Sequence, residues 1–253
     1  MNEYSVFPKK DLLFGIHPVI SAISQGKSIS KILLQQGAAG EGIIELKRLA
    51  SENQIPIQLV PQVRLSKLTR GNHQGAIAFV SQIEFQDIEQ IVPLLFESGQ
   101  IPLIVVLDQV TDVRNLGAIA RSAECAGAHA IVFPDKGSAE VNADAIKTSA
   151  GALLKIPVCR VRNLKICLHF LKQSGIHLVA CTEKSGRDLF SVDFRLPAAI
   201  VLGNEQTGLS SEAIRICDDL AAIPMKGKTG SLNVSVAAGI FLFEAIRQRT
   251  QEA

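Results

Sequence analysis

The chain has 253 residues, of which 47% are hydrophobic and 20% charged, enough apolar material for one large core or two smaller ones. Its formal net charge of +2 excludes the strong global field of a polyanion-coating protein. No apolar run approaches the roughly 20 residues that span a bilayer, and the N-terminal MNEYSVFPKKD lacks an apolar signal region, so a cytoplasmic protein without a membrane partner is expected.

Residues 1–10 read as an arm. The stretch FGIHPVISAISQG predicts a helix that starts near His17-Pro18 and stops at Gly26. Strands are expected at Ser30–Leu34, Ile57–Val60 and Ala76–Val80. Between them fall a helix over Gly40–Asn53, a short helix over Val63–Thr69 and the polar turn GNHQG. Residues 1–84 therefore read as a compact α/β unit. Residues 1–85 hold nine Lys and Arg against six Asp and Glu, an excess that suits a nucleic-acid-facing part. Arg64, Lys67 and Arg70, beside GNHQG, are the candidate RNA contacts, although the same charges also suit a solvated helix face.

Residues 85–101 read as a linker containing a helix over Ile88–Phe96. A second α/β unit follows over 102–253. Leu103–Leu107 is a continuous apolar run, as in a strand buried on both faces. Further strands are expected at Ala130–Phe133, Ile156–Val161, His177–Cys181, Ala199–Leu202 and Leu220–Ile223. Helices are expected at Asn115–Gly127, Val141–Leu154, Leu164–Gln173 and Ser210–Ile216, with a last one after Ser231. This alternation predicts a parallel sheet covered on both faces.

In such sheets ligands bind beyond the carboxyl ends of the strands. Three loops lie there. The first leads into NLGAIARSAECAGAHAIV, with Asn115 at a helix start and Arg121 about two turns in, among small and apolar neighbours. The second is LGNEQTGLS, with Gly203 and Glu205. The third is IPMKGKTGSLNVSVAAGIFLFEA, where Gly227 and Gly230 permit close approach of backbone, Ser231 is a natural N-cap and Asn233 sits in the first helical turn. Taken singly, each also reads as an ordinary turn or cap. No GxGxxG follows Leu107 and no P-loop or nucleophile-elbow pattern occurs. The five cysteines show no CxxC spacing and the five histidines no metal spacing, so neither a disulfide nor a metal centre is expected.

Together, in this order, the three motifs closely resemble those of the SpoU/TrmH family of RNA ribose 2′-O-methyltransferases, over essentially all of residues 102–250. FGIHPVISAI and NHQGAIAFV resemble the small L30e/L7Ae-like RNA-binding domain that precedes the catalytic domain in the branch acting on a guanosine of 23S ribosomal RNA. The resemblance implies a SPOUT α/β domain ending in a deep trefoil knot, S-adenosylmethionine bound in the knot, and a homodimer packed through the knotted regions. Residue by residue, it implies Gly203, Ile223, Met225, Ser231 and Leu232 as cofactor contacts, and Asn115, Arg121, Glu205, Ser231 and Asn233 as the catalytic set. Val113-Arg114 before Asn115, and Asn204 and Gln206 in the second motif, depart from the usual pattern and bear on which RNA is accepted. A transfer-RNA 2′-O-methyltransferase and a non-catalytic RNA-binding or ribosome-assembly factor on the same fold remain the alternatives.

Overall fold

The computed structural model describes residues 12–69 and 71–250. The N-terminal arm and Arg70 lie outside the described residues. The chain divides into two compact units, Met1–Glu84 and Phe85–Ala253.

The first unit runs β1 (Leu12–Phe14), α1 (Ile16–Ser24), β2 (Ile29–Gln35), α2 (Glu41–Glu52), β3 (Ile57–Val60), α3 (Gln62–Leu68) and β4 (Ala76–Val80). Its sheet has the order β1-β4-β2-β3, with β2 and β3 parallel and the other pairs antiparallel. Alternate residues of one strand serve two faces. Ile32 and Leu34 pack with Val19, Ile43 and Leu46 of α1 and α2, whereas Leu33 packs with Leu65 of α3 and Phe79. The three-residue β1 carries no periodic signal and was not expected. Its Phe14 lies over Gly71, where an added Cβ would stand 2.5 Å from the ring.

The second unit runs β5 (Phe85–Gln86), α4 (Ile88–Glu97), β6 (Leu103–Leu107), α5 (Val113–Cys125), β7 (Ala130–Pro134), α6 (Ala143–Thr148), β8 (Val158–Val161), α7 (Leu164–Gln173), β9 (His177–Cys181), β10 (Ala198–Leu202), α8 (Ser211–Ile216), β11 (Asp219–Ala221) and α9 (Val234–Thr250). Its seven strands are all parallel, in the order β11-β9-β10-β6-β7-β8-β5. One face packs Ile104, Val106, Val132, Ala180 and Val201 under α4, α7 and α8, through Val92, Leu168 and Ala213. The strand residues between them point to the opposite face, where α5, α6 and α9 lie. Phe194 and Phe241 meet edge to face there, their ring centroids 6.4 Å apart. Residues 85–97 are strand and helix in this unit: β5 is the sheet's outer strand, and Ile88 and Val92 are core residues.

Three local expectations are corrected. The helix foreseen over Val141–Leu154 is α6 plus a separate turn at Ala152–Leu154, because Ala150 (φ 50°) and Gly151 (φ 82°) adopt the left-handed conformation that ends a helix. The strand foreseen at Leu220–Ile223 is Asp219–Ala221; pairing with β9 ends at Cys181, and Ala222 pairs with Asp188 instead. Helix α5 begins two residues before Asn115, since Asp112 is its cap.

Two glycines set close approaches. A Cβ on Gly117 would stand 2.8 Å from the Ala145 carbonyl oxygen, so α5 and α6 touch backbone to backbone. A Cβ on Gly203 would stand 2.3 Å from both the Gly208 carbonyl carbon and the Leu209 nitrogen. Only glycine fits where β10 meets its own returning loop.

Candidate active site

The site forms where β6, β9, β10 and β11 end. Asp108, directly after β6, is 3% exposed, and its Oδ2 accepts the Ser210 amide at 2.7 Å. It thereby ties the first loop to the second. Gln109 follows in the left-handed region at φ 61°, and its carbonyl accepts the Asn204 side-chain amide at 2.8 Å. The other end of the Asn204 side chain accepts the Gln206 and Thr207 amides, while its backbone pairs with Gly208 in both directions. The second loop is thus a tight hairpin that lifts Glu205 to its tip.

Asp112 caps α5 through Oδ1, which accepts the Arg114 amide at 2.6 Å. That cap puts Asn115 in the first turn, where its side chain faces outward to the other motifs. Asn115 Nδ2 donates to Glu205 Oε1 at 2.8 Å, and Asn115 Oδ1 accepts Asn233 Nδ2 at 3.0 Å. Asn233 Oδ1 in turn accepts the Ser235 amide at 2.8 Å and the Ser235 hydroxyl at 2.6 Å. The Asn233 carbonyl accepts the Ala237 amide, so Asn233, not Ser231, caps α9. Of two cap-forming residues two positions apart, the one that also reaches Asn115 wins. Every donor in the row Ser235, Asn233, Asn115 points toward the Glu205 carboxylate, so each bond polarises the next. The N-terminal turn of α5 meets this carboxylate through Asn115, and its charge suits the positive dipole end there.

Helices α5 and α9 run in the same direction: Asn115 meets Asn233, and about two turns on a Cβ at Gly239 would lie 3.8 Å from the Ser122 hydroxyl. Arg121 is exposed on the outer side of α5 and makes no hydrogen bond to the Asn115, Glu205 and Asn233 row among the described residues. On α9 the exposed outer side carries Val236 (50% exposed) and Phe243 (53%). As the two helices pack in one layer, these outer sides form one surface, with Val236 and Phe243 among the exposed cations Arg114, Arg121 and Arg247.

Beside the polar row lies an open cleft lined by the second and third motifs. Gly203, Ile223, Met225, Ser231 and Leu232 all line it, joined by Cys181, Thr182 and Ala237, which the sequence did not single out. Glu205 and Asn233 stand on its edge. The loop from Ile223 to Leu232 makes no backbone hydrogen bond within the chain among the described residues, and a Cβ at Gly227 or Gly230 would meet open space. Its amides and carbonyls therefore remain available to a ligand's polar edge, and Ile223, Met225 and Leu232 to a flat ring.

Arg64 and Lys67 belong to the first unit, exposed on α3 and one turn apart. Asp108, Asp112 and Ser235 were not foreseen as part of the site. The pattern of acids at 108 and 112 just after an apolar strand was the available signal for the first two. Among the described residues, no cluster of His, Cys, Asp and Glu could hold a metal ion, and no helix is long and apolar enough to cross a membrane.

Comparison with known proteins gives this geometry its setting. Residues 102–243 match the SpoU rRNA Methylase family, and residues 12–86 match the RNA 2′-O ribose methyltransferase substrate-binding family. The chain is 36% identical over 239 residues to the 23S rRNA (guanosine-2′-O-)-methyltransferase RlmB of Pseudomonas aeruginosa, covering 94% of this chain and 96% of that one. It is 33% identical over 239 residues, with the same coverage, to a putative TrmH family tRNA/rRNA methyltransferase, YacO, of Bacillus subtilis. Among solved structures, the SpoU methyltransferase AviRb of Streptomyces viridochromogenes in complex with AdoMet superposes with a TM-score of 0.61 at 26% identity, over 95% of this chain and 90% of that one.

Proposed function

Because the chain belongs to the SpoU/TrmH family of S-adenosylmethionine-dependent RNA 2′-O-methyltransferases, we propose that it methylates the ribose 2′-oxygen of a guanosine in 23S ribosomal RNA, in the cytoplasm and as a homodimer. The observation that carries the reaction is the row Ser235–Asn233–Asn115–Glu205 standing on the edge of the cleft. The likeness to RlmB supports the choice of substrate. Val236 and Phe243, exposed on the outer side of α9, support the dimer.

S-adenosylmethionine supplies an electrophilic methyl group on a sulfonium. The cleft suits it: apolar side chains at Ile223, Met225 and Leu232 and free backbone groups for its base, and polar Thr182, Gln206 and Ser231 for its amino-acid end. A ribose 2′-hydroxyl is a poor nucleophile until its proton is drawn away. Asn115 holds Glu205 by one oxygen, Oε1, which leaves Oε2 to accept the hydroxyl's hydrogen bond and align its lone pair. Asn233 holds Asn115 in turn. A misplacement of about 1 Å in such an array costs about a hundredfold in rate. Arg121 lies on the surface assigned to the dimer, so a second copy packed there encloses it, and its fixed positive charge then orients a phosphate or the ribose. Arg64, Lys67 and Arg70 hold the structured RNA through its backbone.

The test is transfer of radiolabelled methyl from S-adenosylmethionine to total rRNA and tRNA from cells lacking this protein, with the product mapped. A 2′-O-methylguanosine in 23S rRNA is the expected result. Label in tRNA alone keeps the chemistry and replaces the substrate, a reading that the tRNA/rRNA designation of the Bacillus relative also supports. Absence of both label and cofactor binding would leave the non-catalytic RNA-binding reading. Arg121→Ala is expected to abolish transfer while cofactor affinity is retained; loss of both would make Arg121 structural.

A further inference from the structure

The loop between β11 and α9 has two sides with different chemistry. Its ends line the cleft, through Ile223 and Met225 on one side and Gly230, Ser231 and Leu232 on the other. Its tip, Lys226-Gly227-Lys228-Thr229, does not line the cleft and is exposed. The two ammonium groups are therefore displayed beside the reaction centre but aimed away from the cofactor space.

Among the described residues no acid pairs with them. No Asp or Glu occurs from Ala221 to Phe243. The carboxylates of the neighbouring motifs accept from neutral amides instead of from these lysines: Glu205 Oε1 from Asn115, Asp112 from the α5 amides, and Asp108 from Ser210. Among the described residues neither Lys226 nor Lys228 has an ion-pair partner, whereas Lys155, Lys165 and Lys172 are each paired with an acid. The chain bends at Gly227 and Lys228, so the two Cα atoms stand closer than the ~7 Å of an extended chain, and the long side chains set the reach toward successive phosphates of one strand. The ends of the same loop line the cleft together with Glu205, so a strand whose target ribose lies at Glu205 passes this loop.

We propose that Lys226 and Lys228 take the RNA backbone phosphates next to the target nucleotide, so that one loop holds the cofactor by its ends and the RNA strand by its tip. This rests on the reading of the protein as an RNA methyltransferase and adds a pair of RNA-positioning residues to it. Such contacts release counterions, and each steepens the salt dependence of binding without contributing to base choice.

The experiment uses the full chain and the double variant Lys226→Gln/Lys228→Gln. It measures the KM for RNA, the Kd for S-adenosylmethionine, and the dependence of RNA affinity on salt. The expected result is an RNA KM raised roughly tenfold at about 0.1 M salt. The log–log salt slope should be shallower by about 1.4, the value for two lost contacts to a single strand. Cofactor affinity stays the same. Lys226→Arg/Lys228→Arg restores the KM and the slope, and Lys165→Gln, on α7, changes neither. If the wild type methylates RNA and the glutamine variant keeps its KM and slope, the proposal is overturned. If the wild type methylates no RNA, the functional reading fails on its own account. The salt slope of RNA binding still decides the lysines: a shallower slope in the variant upholds the contact, and an unchanged one removes it.

Discussion

At the scale of single residues, the site is a set of hydrogen bonds whose polarity is fixed. Asn115 serves as donor to Glu205 and acceptor from Asn233 at once, which only an amide of this size does. Asn115→Asp preserves the shape but sets one carboxylate against another, and two such groups in contact share a proton rather than both ionise. Single-turnover methylation should fall by about a hundredfold or more, with S-adenosylmethionine affinity, measured calorimetrically, changed by less than about threefold. Activity retained in this variant would remove the amide from the machinery. Asn115, Glu205 and Asn233 were legible because each stands in a motif at the end of a strand. Their direct contact was not, since it joins positions 90 and 118 residues apart. The same long-range contact explains why the cap of α9 moved from Ser231 to Asn233: local sequence offered both, and Asn115 selected one.

At the scale of elements, periodic apolar runs announced nearly every helix and the buried strands, while the short pieces stayed hidden. A two-residue strand such as β5 has no period to read. The break after α6 depends on Ala150 in a conformation that alanine rarely adopts. What fastens the last helix was equally invisible. The Arg249 guanidinium donates to the carbonyls of Ile101, Pro102, Phe194 and Leu196, closing the end of α9 over the starts of β6 and β10. Arg249→Ala leaves those carbonyls without their donor and should cost about 3 kcal/mol, read as a shift of the urea midpoint with an unchanged m-value; an unmoved midpoint would show that water replaces the clamp. One turn earlier, Glu244 is buried and accepts from Arg247 and Gln248. The Arg247 hydrogen bond holds its carboxyl below the usual value of 4.5. Its stabilisation is therefore complete above about pH 4.5 and is lost as pH falls through the lowered folded value. In a pH series of thermal melts, the wild type should lose stability more steeply below that pH than Glu244→Gln. Parallel curves would assign the acid limb to other groups.

At the scale of the molecule, alternation of β and α announced a parallel sheet, but no local signal states the order in which strands lie. That order is set by which faces bury best and by the loops that must meet at the site. The cysteines report on the same packing. Burial pushes the thiols of Cys159, Cys167, Cys181 and Cys217 up to about 12, whereas Cys125 is exposed on α5. A thiol reagent at pH 8 should label Cys125 rapidly in the native protein, the half-buried Cys181 of the cleft wall slowly, and Cys159, Cys167 and Cys217 only after denaturation. Rapid labelling of a second cysteine would reveal a looser core than the structure shows.

The place of β10 in the sheet has a consequence for how the protein is made. It lies between β6 and β9, yet it leaves the ribosome after both. While the nascent chain grows from Leu103 to Leu202, β6 and β9 cannot yet have their shared neighbour. At ordinary elongation rates that interval lasts on the order of 10 s, during which the apolar edge of β6 stands open, joined by that of β9 only near its end. The first unit is finished before this interval begins, because its last strand ends at Val80. A ribosome carrying this chain therefore displays a completed first unit ahead of a second that is still waiting for an interior strand.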